Sequence, residues 1–116
     1  MTIDEQRRSL EDRVKVFLEI GDGWVPLVTR LIDDLDAVGL AYDVDQIKEK
    51  FGSLRFYYRI SGILIPEESR AAVTQIQELV RKAETESIRI CQVCGEPGFN
   101  RVFGGWLKTV CDEHIE

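Results

Sequence analysis

Between residues 3 and 20 the apolar side chains Ile3, Leu10, Val14, Phe17 and Leu18 recur at helical spacing, with charged residues between them. That pattern predicts one amphipathic helix over the whole stretch. Gly21-Asp22-Gly23 breaks it. A second helix is expected from about Trp24, with Pro26 tolerated in its first turn. It turns Leu27, Val28, Leu31, Ile32 and Leu35 inward and stops near Gly39. Its outer face carries Asp33, Asp34 and Asp36, the usual composition of a solvated helix face. Trp24 itself reads either as a core residue at a helix start or as a contact residue at the end of a flexible loop.

The period changes over residues 42–60, which read as two strands joined by a two-residue turn at Gly52-Ser53. In that register Phe51 faces Leu54, Glu49 faces Phe56 and Ile47 faces Tyr58. Together with Asp45 and Ile60 they make a mostly apolar surface for packing on helices. The other face pairs Lys50 with Arg55, Lys48 with Tyr57 and Gln46 with Arg59. After a break at Gly62, residues 66–87 return to helical spacing. Pro66, Glu67 and Glu68 suit a first turn, and Ala72, Val73, Ile76, Leu79, Val80 and Ala83 form the stripe. A second hairpin follows over residues 99–110, turning at Gly104-Gly105 so that Phe103 faces Trp106 and Arg101 faces Lys108.

The predicted fold class is therefore α+β: two N-terminal helices, a β-hairpin, a long helix and a C-terminal metal module. Residues 1–88 form the body and residues 89–116 a tail packed on it, the two making a single structural domain. A length of 116 residues allows one modest core.

Chemistry concentrates in the tail. All three cysteines and the one histidine lie there, as Cys91, Cys94, Cys111 and His114. The C-x2-C … C-x2-H spacing brings three sulfurs and one imidazole around a single Zn²⁺ ion. Glycine after the second cysteine suits the tight turn of a knuckle, and Asp112 and Glu113 suit the first turn of a short helix. Knuckle, hairpin and helix start resemble a zinc ribbon or a treble clef. Four protein ligands close the coordination sphere, so the expected zinc is structural, one ion per chain. A catalytic zinc keeps a position open for water. An odd number of reduced thiols, with no apolar segment after the first charged residues, predicts a cytoplasmic protein without a secretory signal. No run of apolar residues reaches membrane-spanning length.

The formal net charge of −6 and pI near 4.9 disfavour general nucleic-acid binding. The charge is not evenly spread. Residues 46–59 carry +3, which leaves −9 for the rest of the chain. Lys48, Lys50, Arg55, Arg59 and Tyr57 project together from one hairpin face, and like charges opposite one another on neighbouring strands repel. Carboxylates from Asp33, Asp34, Asp36 or the long helix are one source of neutralisation. An anionic partner is the other. Arg101, Trp106 and Lys108 on the second hairpin repeat the cation-plus-aromatic theme, although Phe103 and Trp106 also suit packing of the ribbon onto the body.

The stretches QIKEKFGSLRFYY (residues 46–58), CQVCGEPG (residues 91–98), GGWLKTVCDEH (residues 104–114) and GDGWVPLVTRLIDDL (residues 21–35) resemble a family of small bacterial and phage or prophage proteins. The resemblance spans roughly half the chain. It implies a cytoplasmic protein with a zinc-binding tail and carries across no activity or catalytic residue.

Function is then expected to be non-enzymatic: there is no Gly-rich phosphate loop, no nucleophile beside a base and no spare histidine. The leading expectation is a zinc-stabilised binding module, regulatory or counter-defence in character, that engages a protein partner through the basic hairpin face. Two alternatives remain, a nucleic-acid-binding zinc ribbon and an acidic mimic of nucleic acid. Neither the partner nor the oligomeric state follows from the residues.

Overall fold

A computed structural model of the chain describes residues 1–61 and 67–115, without the side chain of Glu68. The expected break at Gly62 and the expected helix start at Pro66 lie outside the described residues. Within them the architecture is mixed α+β, with three α-helices and two small sheets. No described helix is long and apolar enough to cross a membrane.

The first helix, α1 (Ile3–Val14), opens with a capping box: Thr2 accepts from the Glu5 backbone while the Glu5 side chain accepts from the Thr2 N–H. It ends six residues before the periodicity does. Lys15 takes a left-handed conformation and its N–H returns to the Glu11 carbonyl. Leu18 and Glu19 then form a two-residue strand, β1, parallel to the hairpin, with Leu18 opposite Ile47. Leu18 is buried as expected, but as a strand residue, and Phe17 is 79% exposed rather than part of the stripe. A two-residue strand lies below what periodicity resolves. Leu10 and Leu18 share helical phase only by coincidence.

A 3-10 turn at Asp22–Trp24 leads into α2 (Val25–Val38), with Pro26 in its first turn and Gly39 as a left-handed cap. All five apolar residues expected to face inward are buried. Trp24 is fully buried, and its indole N–H donates to the Ile90 carbonyl at 2.8 Å. It is a core residue that ties α2 to the tail.

Strands β2 (Tyr42–Lys50) and β3 (Ser53–Ile60) pair in a register two residues away from the expected one. The turn is Phe51-Gly52, both at positive φ (55° and 76°), the type I′ geometry that matches strand twist. Lys48 therefore faces Arg55, Gln46 faces Tyr57 and Ile47 faces Phe56. A bulge at Asp45 then brings Val44 opposite Tyr58 and Tyr42 opposite Ile60. Because the slip is even, no side chain changes faces near the turn. The bulge removes Asp45 from the apolar surface and substitutes Val44, which is what burial demands.

Helix α3 (Arg70–Ser87), preceded by a 3-10 turn at Glu67–Ser69, packs on α2 and along β3. Ile76, Val80 and Ala83 are buried in its predicted stripe. It also seals the sheet edge. The Leu54 N–H donates to the Ser87 hydroxyl at 2.9 Å and the Phe56 N–H to the Glu84 carboxylate at 3.0 Å. The second sheet is β4 (Phe99–Phe103) paired with β5 (Trp106–Val110), in the expected register around Gly104-Gly105.

Candidate metal centre

The end of α3 hands the chain to a knuckle. Ile90 bridges to Pro97, the Cys91 N–H donates to the Glu96 carbonyl at 2.7 Å, and the Gly95 N–H closes on the Cys91 carbonyl at 2.9 Å. Gly95 sits at φ 83°, a conformation that a side chain would strain. The knuckle rests on the Gly21-Asp22-Gly23 loop. The Gly23 N–H donates to the Gln92 carbonyl at 3.0 Å, and a Cβ added to Gly23 would stand 2.0 Å from the Cys91 carbonyl oxygen. On the other side Gln92 clasps β5: its N–H donates to the Thr109 carbonyl and its side-chain oxygen accepts from the Thr109 N–H.

The second ligand pair follows β5 directly. Cys111 precedes a 3-10 turn at Asp112–His114, and the His114 N–H donates to the Cys111 carbonyl at 3.1 Å. Asp112 in that turn is held by Arg101 at 2.6 Å. The expected helix start is this single turn.

These elements gather Cys91, Cys94, Cys111 and His114 so that one donor atom from each lies within 4.8 Å of all the others. The Cys94 and Cys111 sulfurs are 3.7 Å apart, and His114 Nδ1 is 3.1 Å from Cys111 Sγ and 3.7 Å from Cys91 Sγ. A tetrahedron with metal–sulfur bonds of about 2.3 Å has S···S edges of about 3.8 Å, and S···N edges of about 3.6 Å. Two of these separations match such edges and the third is shorter, so the four donors lie close enough together to bind one metal ion, with Nδ1 the imidazole nitrogen nearest the sulfurs. All three cysteines are free thiols. Burial pushes the Cys91 thiol up, but the backbone N–H groups of Cys94, Cys111 and Val93 favour the thiolate and bring it down to about 6. The Glu96 N–H favours the Cys94 thiolate, but burial and the neighbouring Cys91 and Cys111 sulfurs push that thiol the other way, up to about 11.

The cations expected to form a contact face are distributed less uniformly than the sequence implied. Lys48, Lys50, Arg55, Tyr57 and Arg59 do share the outer face of the hairpin. Arg59, however, is bound by Asp45 at 2.8 Å, the carboxylate that the bulge turned outward. Among the described residues Lys48, Lys50 and Arg55 make no ion pair. Lys48 lies over the Tyr57 ring at 5.9 Å and Lys50 over the Phe51 ring at 5.4 Å. Arg55 Nε is buried without a hydrogen-bond partner. Asp33 and Asp36 do not neutralise this face, because both are engaged by Arg13 at 3.0 and 2.9 Å.

On the second hairpin Arg101 is bridged to Asp112, Lys108 is exposed, and Trp106 is 73% exposed. The packing role allowed for Trp106 is therefore corrected. Body contacts are made by the opposite face of that hairpin, through Asn100 and Thr109. Besides Phe17, two further phenylalanines, Phe51 and Phe99, stand exposed. Phe51, expected on the inner face, stands instead at the turn. Phe99 opens β4 with the Arg101 guanidinium 5.3 Å from its ring centre. A Phe-Gly pair read as a type I′ turn would have found the first.

The chain matches no protein-family model, and comparison with curated proteins and with solved structures returns no match either.

Proposed function

We propose that this chain is a non-enzymatic binding module of the cytoplasm, pinned by one structural Zn²⁺ and engaging a protein partner through the outer face of its first hairpin. The resemblance to phage and prophage proteins supports a regulatory or counter-defence role. Zinc is the ion that three thiolates and an imidazole in a tetrahedral cage suit best, needing neither redox chemistry nor a preferred d-electron geometry. Four protein donors fill its sphere, so the ion supplies rigidity to the tail and not a reactive water.

The observation that carries the partner reading is a contrast in charge. On a chain of net charge −6, Lys48, Lys50 and Arg55 stand together with no ion pair among the described residues, while the nearby Arg59 is neutralised. Adjacent unpaired cations repel, and an acidic partner surface relieves that repulsion. Purified protein should carry one zinc per chain by elemental analysis. The double variant Lys48→Glu, Lys50→Glu should keep that zinc and lose partners recovered from the native host. Recovery of the same partners by the variant would remove the basic-face reading.

A second reading, single-stranded nucleic acid, is favoured by one observation. Phe99, Arg101, Trp106 and Lys108 share a strand face, an aromatic and cationic surface on which bases can stack. Its signature is a mobility shift that weakens steeply with salt. The acidic-mimic reading is not favoured, since Arg13 interrupts the Asp33 and Asp36 face.

A further inference from the structure

Each strand at the border of a sheet leaves alternate backbone groups pointing away from its neighbour, and proteins cover such edges to prevent stray pairing. Here side chains take outward backbone groups on three of the four outer strands. On β1, Arg7 donates to the carbonyls of Leu18 and Ile20 at 2.8 and 2.9 Å, and Glu11 accepts from the Leu18 N–H at 2.8 Å. On β3, Ser87 and Glu84 accept from Leu54 and Phe56. On β5, the outward N–H and carbonyl of Thr109 are both taken by Gln92.

The fourth edge is β4. The tight turn at Gly104-Gly105 makes Phe103 and Trp106 a hydrogen-bonded pair, so residues 99, 101 and 103 bond to β5. The backbone groups of Asn100 and Val102 point the other way. Among the described residues nothing takes them. Both residues are exposed, Val102 by 71%, and the strand is flanked by Phe99 (62% exposed) and by Trp106 on β5. From residue 99 to residue 110 the only charged side chains are Arg101, already bridged to Asp112, and Lys108, which is exposed and makes no ion pair among the described residues.

We propose that β4 is a docking edge that adds an extended, acidic and apolar segment of a protein partner as a third antiparallel strand of the metal-bearing sheet. The partner's main chain bonds to Asn100 and Val102. Its alternate side chains meet Phe99 and Phe103 on one face, with a long carboxylate side chain reaching past Arg101 toward Lys108 on β5. A second copy of this chain fits less well. Its own β4 offers no carboxylate to Lys108, and each copy carries a net charge of −6. The inference rests on the protein-partner reading only in taking the ligand to be a polypeptide. The basic face of the first hairpin is not part of it.

The test uses the metal-loaded chain and a short synthetic peptide alternating valine with glutamate. Its controls are the same peptide N-methylated on alternate amides and a valine-lysine counterpart. Binding of the acidic peptide should slow hydrogen exchange at the Asn100 and Val102 amides. N-methylation or the Val102→Pro variant should lower affinity by about tenfold or more, the loss expected for one or two main-chain hydrogen bonds. Proline is tolerated on an edge strand whose N–H faces outward, and unchanged zinc content verifies that the variant folds. The Lys48→Glu, Lys50→Glu variant should bind the peptide like the parent, which separates this edge from the basic face. The inference is overturned by the absence of binding, by binding indifferent to N-methylation and to Val102→Pro, or by a preference for the lysine peptide. Self-association abolished by Val102→Pro would also overturn it, assigning the edge to a second copy.

Discussion

Thr109 Oγ1 donates a 2.6 Å hydrogen bond to the carbonyl oxygen of Gly52, 57 residues earlier in the chain. Thr109 is fully buried, and the adjacent Asn100 amide donates to the Phe51 carbonyl at 3.3 Å. The turn of the first hairpin is thereby seated on the hairpin that leads into the candidate metal ligands Cys111 and His114. Both carbonyls of a strained type I′ turn are satisfied by the module that the turn supports.

Thr109→Val keeps the shape and deletes the donor, leaving the Gly52 carbonyl buried and unpaired. Loss of such a partner costs about 1–3 kcal/mol. The expected result is a lower urea midpoint with unchanged slope and unchanged zinc content. A midpoint equal to that of the parent would show that the contact carries no weight.

Glycine at 23 serves close approach to the knuckle, and glycine at 39 serves conformation. A Cβ at Gly23 meets the Cys91 carbonyl at 2.0 Å and the Gly95 nitrogen at 2.6 Å, whereas a Cβ at Gly39 meets nothing within 4 Å but sits at φ 85°. Gly23→Ala should weaken zinc retention against a chelator and destabilise the fold by about 1–3 kcal/mol or more, since the obstacle is backbone. Gly39→Ala should cost about 1–2 kcal/mol through left-handed strain and leave zinc retention alone. Equal chelator sensitivity in the two variants would refute the distinction.

Metal removal should be visible from the core. The Trp24 indole is bonded to the Ile90 carbonyl, one residue before the first cysteine ligand. In a Trp106→Phe background, where Trp24 is the only tryptophan, chelation should shift its emission to longer wavelength. The far-ultraviolet circular dichroism of the helices should change little. His114→Ala should behave like the chelated parent. An emission spectrum unmoved by complete removal of the metal would uncouple Trp24 from the site.

Alkaline pH should destabilise the chain through two tyrosines. Burial first, then its hydrogen bond to Asp36, raises the Tyr42 phenol well above its usual value of 10.0. Burial and the charge of Glu84 raise that of Tyr58. A group whose folded pKa is raised contributes fully below its unfolded pKa, and that contribution is lost as pH climbs toward the folded value. Stability should therefore fall above pH 10. Tyr42→Phe should flatten the fall, as read by urea midpoints alongside the tyrosinate absorbance. A profile identical in the variant would assign the loss to other groups.

Local chemistry made much of this legible. The four-residue ligand set, the Gly39 cap, the Gly104-Gly105 hairpin and the inward stripes of α2 and α3 all follow from neighbours within a turn or two. Phe17 shows the limit: its helical spacing was real, yet Lys15 turned left-handed and the chain left the helix. The hairpin register shows another. Gly52-Ser53 and Phe51-Gly52 turns keep the same side chains on the same faces, so alternation alone could not separate them. Docking of Gly52 against Thr109 and burial of Val44 in place of Asp45 favour the second.

What residue identity determined by itself was donor chemistry and periodicity, because ligand type and side-chain phase are properties of short stretches. Tertiary structure decided which of those features are shared and which stand free. It gave Asp45 to Arg59 and Arg13 to the acidic helix face, turned Trp24 inward and Trp106 outward, and capped backbone groups on β1, β3 and β5 while, among the described residues, leaving those of β4 uncapped. Such choices depend on groups tens of residues apart competing for the same partner, and only a folded chain brings those competitors within reach of one another.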